Sequence, residues 1–364
     1  MNFKRVAIAH YWLVGMRGGE RVLERLLSLY PQADIFTHVY DPGAVSRTIS
    51  DRVVRTTFID RLPGARRHYQ KYLALMPLAL EQLDLRGYDL VISSESGPAK
   101  GVIAAPDALH ICYCHSPMRY LWDHYHEYLE DAGPIARMAM PIIFSRLRQW
   151  DVTSATRVDA IVANSSFIKA RIRRAWGRDS TVVHPCVAVS DFAPARAVGP
   201  GYLWVSQLRP YKRAMLAVEA FNRLGLPLTI VGEGPQAAEL RRAAKPNISF
   251  ESRLTYRELQ VAYATCRALV FTAEEDFGIV PVEANASGRP VIAFGRGGVT
   301  DSIIPEQTGI FFDAQTPDSL CQAVERFERW LPDFDPQRAV TNAARFAPEC
   351  FDAGFGAAVA AAAH

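Results

Sequence analysis

With 364 residues, 49% of them hydrophobic, the chain exceeds the usual size of one compact domain, so two domains with separate cores are expected. Its 41 basic and 38 acidic residues leave a formal charge of +3, too small to indicate nucleic-acid binding by itself, so the placement of the basic residues matters more than their sum. The six cysteines, at 112, 114, 186, 266, 321 and 350, lack the paired two-residue spacing of zinc or redox sites, which fits a reduced cytoplasmic protein.

The first apolar run, residues 6–14, is interrupted by His10 and is far shorter than the roughly 20 apolar residues that span a bilayer. It leads into Arg17-Gly18-Gly19-Glu20 without a small-residue cleavage pattern, so it reads as a first strand and helix rather than a signal peptide. Short runs rich in Val and Ile then alternate with helical patterns, predicting strands at 6–9, 33–39, 90–93, 109–112, 160–163 and 181–183. A Pro/Gly/Ala stretch at 191–201 reads as a linker. A second series follows, with strands at 202–205, 228–231, 248–250, 269–271, 291–293 and 310–312.

Continuous apolar strands joined by helical crossovers favour parallel sheets covered on both faces. The expectation is therefore an α/β chain with two doubly wound, Rossmann-like domains facing a central cleft, because such sheets bind ligands at the carboxyl ends of their strands. The first domain is placed at 1–195 and the second at 196–335, with the alanine-rich helices of 336–364 packing back on the first. The final alanines read as a fraying helix end.

The segment Glu275-Asp276-Phe277-Gly278-Ile279-Val280-Pro281-Val282-Glu283 follows a predicted strand and opens a helix that begins near Val280 and runs to about Ser287. Gly278 permits close backbone approach, and the free N–H groups of a first helical turn suit a diphosphate. Pro281 near that turn loses no needed hydrogen bond. Glu283 is placed to accept hydrogen bonds from a ribose diol, and Glu275 to contact hydroxyls of a bound sugar. Equally, Glu275, Asp276 and Glu283 can serve only to favour a helix N-terminus electrostatically.

Two glutamates with seven residues between them, including Phe-Gly and Pro, resemble the signature of glycosyltransferase family 4, and Gly288-Arg289-Pro290-Val291-Ile292-Ala293 and Gly297-Gly298 continue the likeness. Four further stretches support it: Gly18-Gly19-Glu20-Arg21-Val22-Leu23, Cys114-His115-Ser116-Pro117-Met118-Arg119-Tyr120-Leu121-Trp122-Asp123, Val205-Ser206-Gln207-Leu208-Arg209-Pro210-Tyr211-Lys212-Arg213 and Val231-Gly232-Glu233-Gly234-Pro235. The resemblance covers nearly the whole chain and is similar to the WbaZ-type mannosyltransferases of lipopolysaccharide and exopolysaccharide assembly. It implies a GT-B fold and transfer of a hexose with retention, foremost mannose from GDP-mannose, to a polyprenyl-diphosphate-linked saccharide. A UDP-sugar donor is the second choice, a sugar-nucleotide epimerase of the same fold a third, and a non-catalytic binding subunit a fourth.

By that resemblance the catalytic candidates are His115, Glu275, Lys212 and Arg209, and the donor-binding candidates are Gly18, Gly19, Phe277, Gly278, Ile279, Val280, Glu283, Gly232 and Arg253. Lys212, Arg209 and the Gly278 and Ile279 amides would stabilise negative charge growing on the departing diphosphate. The family carries arginine where Gln207 stands. Arg209 either substitutes for it or faces solvent. Asp301 stands where relatives often have Glu. His115 follows a strand and matches a family position near the reacting sugar, although a lone histidine there can also be structural. The two glycines Gly18 and Gly19 would approach the diphosphate or form an ordinary tight turn. The sequence assigns no role to Glu20 or Arg21. No cluster has metal-ligand spacing, so no metal and no cofactor beyond the nucleotide sugar is expected.

Between Arg52 and Lys71 there are six Lys/Arg against the single acid Asp60, interleaved with Phe58, Ile59, Leu62 and Tyr69. Lys169, Arg171, Arg173, Arg174 and Arg178 form a second cluster beside Trp176. Both are solvated basic faces or, with their aromatic neighbours, a docking face for an anionic membrane surface. The latter places the protein in the cytoplasm, peripheral on the inner face of the cell membrane, with no nucleic-acid partner. Residues 137–144, with Met138, Met140, Ile142, Ile143 and Phe144, are either a lipid-facing surface or a buried helix between domains.

Overall fold

The computed structural model describes residues 3–130 and 132–363. The chain packs as two compact units: the first runs to Cys186 and resumes at Phe351, and the second is Val187–Cys350.

The first unit is built on a seven-stranded sheet of β1 (Val6–His10), β2 (Asp34–Thr37), β3 (Val54–Thr56), β4 (Leu90–Glu95), β5 (Leu109–Cys114), β6 (Ala160–Ala163) and β7 (Thr181–Val182), in the spatial order β3-β2-β1-β4-β5-β6-β7. Every pairing is parallel. β1 sits centrally, with Ile8 opposite Ile35 on one side and Ile92 on the other. Its five residues are all buried, which is why it reads as an unbroken apolar run. The helix Gly18–Leu29 lays Val22, Leu23, Leu26 and Leu27 on this sheet at helical spacing. β3 escapes the sequence reading because Val-Arg-Thr is a three-residue edge strand with no buried residue to give it periodicity.

The second unit holds a six-stranded parallel sheet of β8 (Tyr202–Val205), β9 (Leu228–Val231), β10 (Ile248–Glu251), β11 (Leu269–Phe271), β12 (Val291–Phe294) and β13 (Gly309–Phe312), ordered β10-β9-β8-β11-β12-β13. Two hydrophobic clusters cover its faces, one around Phe221, Phe312 and Phe327 and the other around Phe271, Phe277 and Phe346. In both sheets the chain leaves the first strand in one direction and later returns to its other side, so the strand order reverses between β1 and β4 and between β8 and β11. These are the switch points at which open α/β sheets bind ligands.

The unit boundaries differ from the expected 195/196 and 335/336. Val187 and Val189, and Phe192 of the expected linker, pack into the second unit. So does the helix Pro336–Ala343, which lies against the helix Ile279–Ala286: Asn342 Nδ2 donates to Asn285 Oδ1 (3.1 Å), and Ala343 is buried in the same cluster. The chain joins the first unit only from Phe351, inside the helix Pro348–Ala362, through Phe351, Phe355 and Val359 in the core around Ile8 and Tyr113. Arg25 pairs with Asp352 on this helix. The terminal alanines are therefore an ordered helix with Ala358 buried, and their helical pattern could not reveal which core they complete.

Candidate functional site

In the second unit, the loops after β8 and β11 flank the switch point and bring together the two families of sequence candidates. The short helical turn Pro210–Lys212 ends at Arg213, whose φ of 57° is left-handed. Its Lys212 Nζ lies 2.5 Å from Glu275 Oε1 in the loop after β11. Both side chains are mostly buried. The pair therefore places a cation and a carboxylate at one spot beside the N-terminus of the helix Ile279–Ala286, whose first N–H groups have no partners within the helix.

Gly278 precedes that helix at φ 88°, a conformation in which a side chain would strain the backbone, and a Cβ there would sit 3.2 Å from the Phe271 ring. Ile279 and Val280 form the first turn and are half-buried. Phe277 points the other way, into the core, 5.4 Å from the Phe346 ring, so its side chain anchors the loop. Glu283 is nearly buried one turn further on, where Oε2 accepts a hydrogen bond of 2.9 Å from Tyr263 OH. Burial, and then the Glu283 charge, hold the Tyr263 phenol well above its ordinary value, so it acts as a fixed donor orienting that carboxylate.

The glycine pairs have a steric role that their spacing does not reveal. A Cβ on Gly297 (φ 83°) would stand 2.5 Å from Glu275 O, and one on Gly298 would stand 2.3 Å from Asp276 O, while Gly298 N donates to Glu275 O at 2.8 Å. The bare backbone at 297–298 thus cradles the loop that carries Glu275. Likewise Gly232 faces Ser206 O at 1.9 Å from an added Cβ, and Leu208 N donates to Glu233 O at 2.8 Å. Gly232 therefore lets the loop after β9 brace the loop that leads to Lys212.

Thr272, fully buried, ties the site together and carries no sequence signal of its own: it accepts from Trp204 Nε1 (3.0 Å) and donates to the Lys212 carbonyl (2.9 Å), and Gln315 Nε2 donates to its carbonyl (2.8 Å). Two sequence candidates stand apart from this grouping. Arg209 is exposed, with Nε donating to Gln207 Oε1 at 3.3 Å. Arg253 is exposed in the loop after β10, the edge strand. Asp301 lies on the short helix Val299–Ser302 behind the glycine pair.

In the first unit, the loops after β1, β4 and β5 meet at the other switch point. His115, nearly buried, directly follows β5, and its Nε2 lies 2.9 Å from Ser94 Oγ on β4. The other side of that hydroxyl meets His10 Nδ1 on β1 at 3.0 Å. Gly18 opens the following helix, and a Cβ on Gly19 would fall 2.3 Å from Tyr11 OH and 3.6 Å from His115 Nε2. The glycine after β1 and the histidine after β5, 96 positions apart in sequence, thus share one corner. Glu20, 2% exposed, accepts from Arg17 N at 2.8 Å as a helix cap and approaches His10 Nε2 at 3.7 Å. Burial opposes ionisation of Glu20, but His10 and the backbone donors outweigh it and hold the carboxyl below its ordinary value.

Behind this corner, Lys100 Nζ is fully buried with Glu95 (3.2 Å) and Asp151, and Asp151 Oδ2 accepts from Trp122 and Trp176 Nε1 at 2.8 Å each. Every member is paired, which makes this a structural ion network.

The basic clusters fare differently. Arg61, Arg66, Arg67 and Lys71 are exposed, while Ile59 and Tyr69 turn inward. In the second cluster Trp176 is buried, Arg171 is held by Ser116 and Asp123, and Arg178 donates to the Ala155 and Val158 carbonyls. This cluster is therefore not a basic–aromatic face. Residues 137–144 lie on the helix Pro134–Ala155, where Phe144 is buried but Met138 (81% exposed) and Ile142 (66%), with Ile135 (86%), form an open apolar stripe at i, i+3 and i+7. Among the described residues, no helix is long and apolar enough to cross a membrane.

Two Rossmann-like units, each with its loops gathered at a switch point, make this a GT-B protein, and known structures share the fold. HepE of Anabaena, crystallised with UDP-glucose, superposes with a TM-score of 0.70 over 99% of this chain and 100% of that one at 17% identity. The lipopolysaccharide outer core galactosyltransferase WaaB gives 0.69 over 98% and 99% at 16% identity. Residues 16–191 match the family profile described as Glycosyltransferase Family 4, and residues 199–329 that of Glycosyl transferases group 1. The chain belongs to glycosyltransferase family 4.

Relatives by sequence include O-antigen chain mannosyltransferase C of Escherichia coli, 30% identical over 42% of this chain and 43% of that protein. Another is a GDP-mannose-dependent alpha-mannosyltransferase of Mycobacterium tuberculosis, 38% identical over 35% of each. The matched stretches thus span less than half the length of these relatives.

Proposed function

We propose that the protein is a retaining, metal-independent glycosyltransferase that moves a hexose, foremost mannose from GDP-mannose, to a polyprenyl-diphosphate-linked saccharide in surface polysaccharide assembly. The observation that carries this reading is the Lys212–Glu275 pair set beside the Gly278-led helix N-terminus at a sheet switch point. As the bond between the sugar C1 and the diphosphate oxygen breaks, its electron pair stays on the diphosphate. Lys212 and the Gly278 and Ile279 amides offset that growing charge. The acceptor oxygen bonds to C1 on the face just vacated, and its proton passes to the departing phosphate oxygen, so no enzyme carboxylate needs to attack. Glu275 then orients the sugar, Glu283 holds the ribose and His115 serves the transferred sugar. Arg209 has a smaller part than Lys212, given its exposed position on Gln207.

Mannose is supported by the names of the E. coli and M. tuberculosis relatives. A UDP-sugar is the second reading, favoured by the UDP-glucose held in Anabaena HepE. The acceptor would be met at an anionic membrane surface on the cytoplasmic face. The test is a thermal-shift comparison of GDP-mannose with UDP- and ADP-sugars. It is followed by transfer to a short polyprenyl-diphosphate glycan with and without EDTA, the product anomer being read by NMR. Stabilisation by GDP-mannose and an EDTA-insensitive α-linked product are expected. Preferential stabilisation by a UDP-sugar overturns the donor, an inverted anomer overturns retention, loss of rate in EDTA overturns metal independence, and epimerisation of donor alone points to an isomerase.

A further inference from the structure

Ser94 Oγ lies between two buried imidazoles, 3.0 Å from His10 Nδ1 and 2.9 Å from His115 Nε2. A serine hydroxyl has one proton and two lone pairs, so it can donate to only one of these rings and must accept from at least one; once one ring presents a lone pair to it, the other has to present an N–H. The tautomers of His10 and His115 are therefore coupled through one oxygen, although the residues come from separate strands. At the far end, Glu20 Oε1 is 3.7 Å from His10 Nε2, and its other oxygen is occupied by the Arg17 amide at the start of a 12-residue helix, an environment that favours the carboxylate.

We propose that Glu20, His10 and Ser94 are positioning residues that set the tautomer of His115. The ionised Glu20, at 3.7 Å and beyond hydrogen-bond distance, favours electrostatically the His10 tautomer with its proton on Nε2. The lone pair of His10 is then on Nδ1, where it accepts the Ser94 O–H. Ser94 Oγ in turn accepts from His115 Nε2–H, which leaves the lone pair of His115 on Nδ1. A lone pair on Nδ1 is the polarity suited to a sugar hydroxyl that donates. No bond to substrate forms or breaks in this arrangement. Gly19 belongs to it sterically, since a Cβ there would clash with Tyr11 OH at 2.3 Å and stand 3.6 Å from His115 Nε2. That His115 serves the transferred sugar rests on the function proposed above, whereas the coupling of the two rings does not.

The test uses the full chain with 15N-labelled histidine. Long-range 1H–15N correlations read the His115 tautomer at pH 7.5 in the unliganded wild type, Ser94→Ala, Ser94→Thr and Glu20→Gln. The expected result is an Nε2–H tautomer in the wild type, a shift toward a mixture in Ser94→Ala and Glu20→Gln, and recovery in Ser94→Thr, which keeps the hydroxyl. In sugar transfer, Ser94→Ala lowers kcat roughly tenfold with little change in the donor KM, as loss of one orienting hydrogen bond implies, and Ser94→Thr recovers it. An Nδ1–H tautomer in the wild type, or a tautomer indifferent to both Ser94→Ala and Glu20→Gln, overturns the relay. The Ser94 pair suffices if Glu20→Gln does not fold. Unchanged transfer in His115→Ala would instead remove the sugar contact while leaving the tautomer result to decide the relay.

Discussion

Lys212 Nζ and Glu275 Oε1 stand 2.5 Å apart, joining the turn after β8 to the loop after β11 across the reversal of strand order. Each satisfies the other, so the cation is held in place without an unpaired buried charge. The loop on each side is braced separately, by Thr272 under Lys212 and by Gly297-Gly298 under Glu275.

Replacing Lys212 removes the side-chain cation that would face the departing diphosphate. Lys212→Ala is expected to lower kcat by about 10²–10³, the range found when one transition-state donor is lost, and Glu275→Gln to lower it less because the amide keeps its hydrogen-bonding capacity. Nucleotide release in a coupled assay checks both, and a Lys212→Ala rate within twofold of wild type would show that the pair is only structural.

The braces predict loss of stability as well as activity. Thr272→Val keeps the shape but leaves Trp204 Nε1 buried without an acceptor, costing about 1–3 kcal/mol. Gly297→Ala adds a Cβ against Glu275 O at a left-handed φ and is expected to cost at least about 1 kcal/mol. Urea unfolding measures both, and donor binding by calorimetry should weaken in parallel; Gly297→Ala with wild-type stability would contradict the close approach.

Acid should weaken the first unit through two buried histidines. Burial pushes the His38 imidazole down to about 4 and His110 down to about 3. In the unfolded chain both take up protons near their ordinary value of about 6.5. The unfolded state therefore binds more protons between those limits. The stability each neutral ring contributes is fully present above about pH 6.5 and declines as pH falls toward 4. Between pH 7.5 and 5.5 about 1.4 kcal/mol should be lost per histidine. A urea midpoint unchanged or higher at pH 5.5 would contradict this.

The exposed stripe Ile135, Met138 and Ile142 lies on a helix whose other face, with Met140, Ile143 and Phe144, packs in one cluster with Leu73, two residues beyond the basic segment. Exposed Arg61, Arg66, Arg67 and Lys71, together with open apolar side chains on the same unit, suit an anionic bilayer. Co-sedimentation is expected with vesicles containing anionic lipid and not with neutral ones. Met138→Asp with Ile142→Asp should abolish it, and Arg66→Glu with Arg67→Glu should make it insensitive to lipid charge. Lack of binding to either vesicle type would sink the docking surface.

What the sequence determined by itself was everything written in local periodicity and in contiguous strings. Among the described residues twelve of the thirteen strands were legible as runs of apolar or β-branched residues, the edge strand β7 included through Thr181-Val182-Val183, and β3 was not, because Arg55 interrupts its short run. The Glu275–Glu283 string was legible because a strand, a glycine and a helix start must adjoin in sequence to aim backbone amides at an anion.

The tertiary structure alone decided the relations between segments. It joined Pro336–Ala343 to the second unit and Phe351 onward to the first, since an alanine-rich helix carries no label for the core it will fill. It turned Phe277 and Trp176 inward, and it made Gly232, Gly297 and Gly298 steric necessities. It also placed Thr272 under Lys212 and Ser94 between His10 and His115. A hydroxyl acquires such a role only from the groups that folding brings within about 3 Å of it, and in both cases those groups arrive from strands and loops distant in the chain.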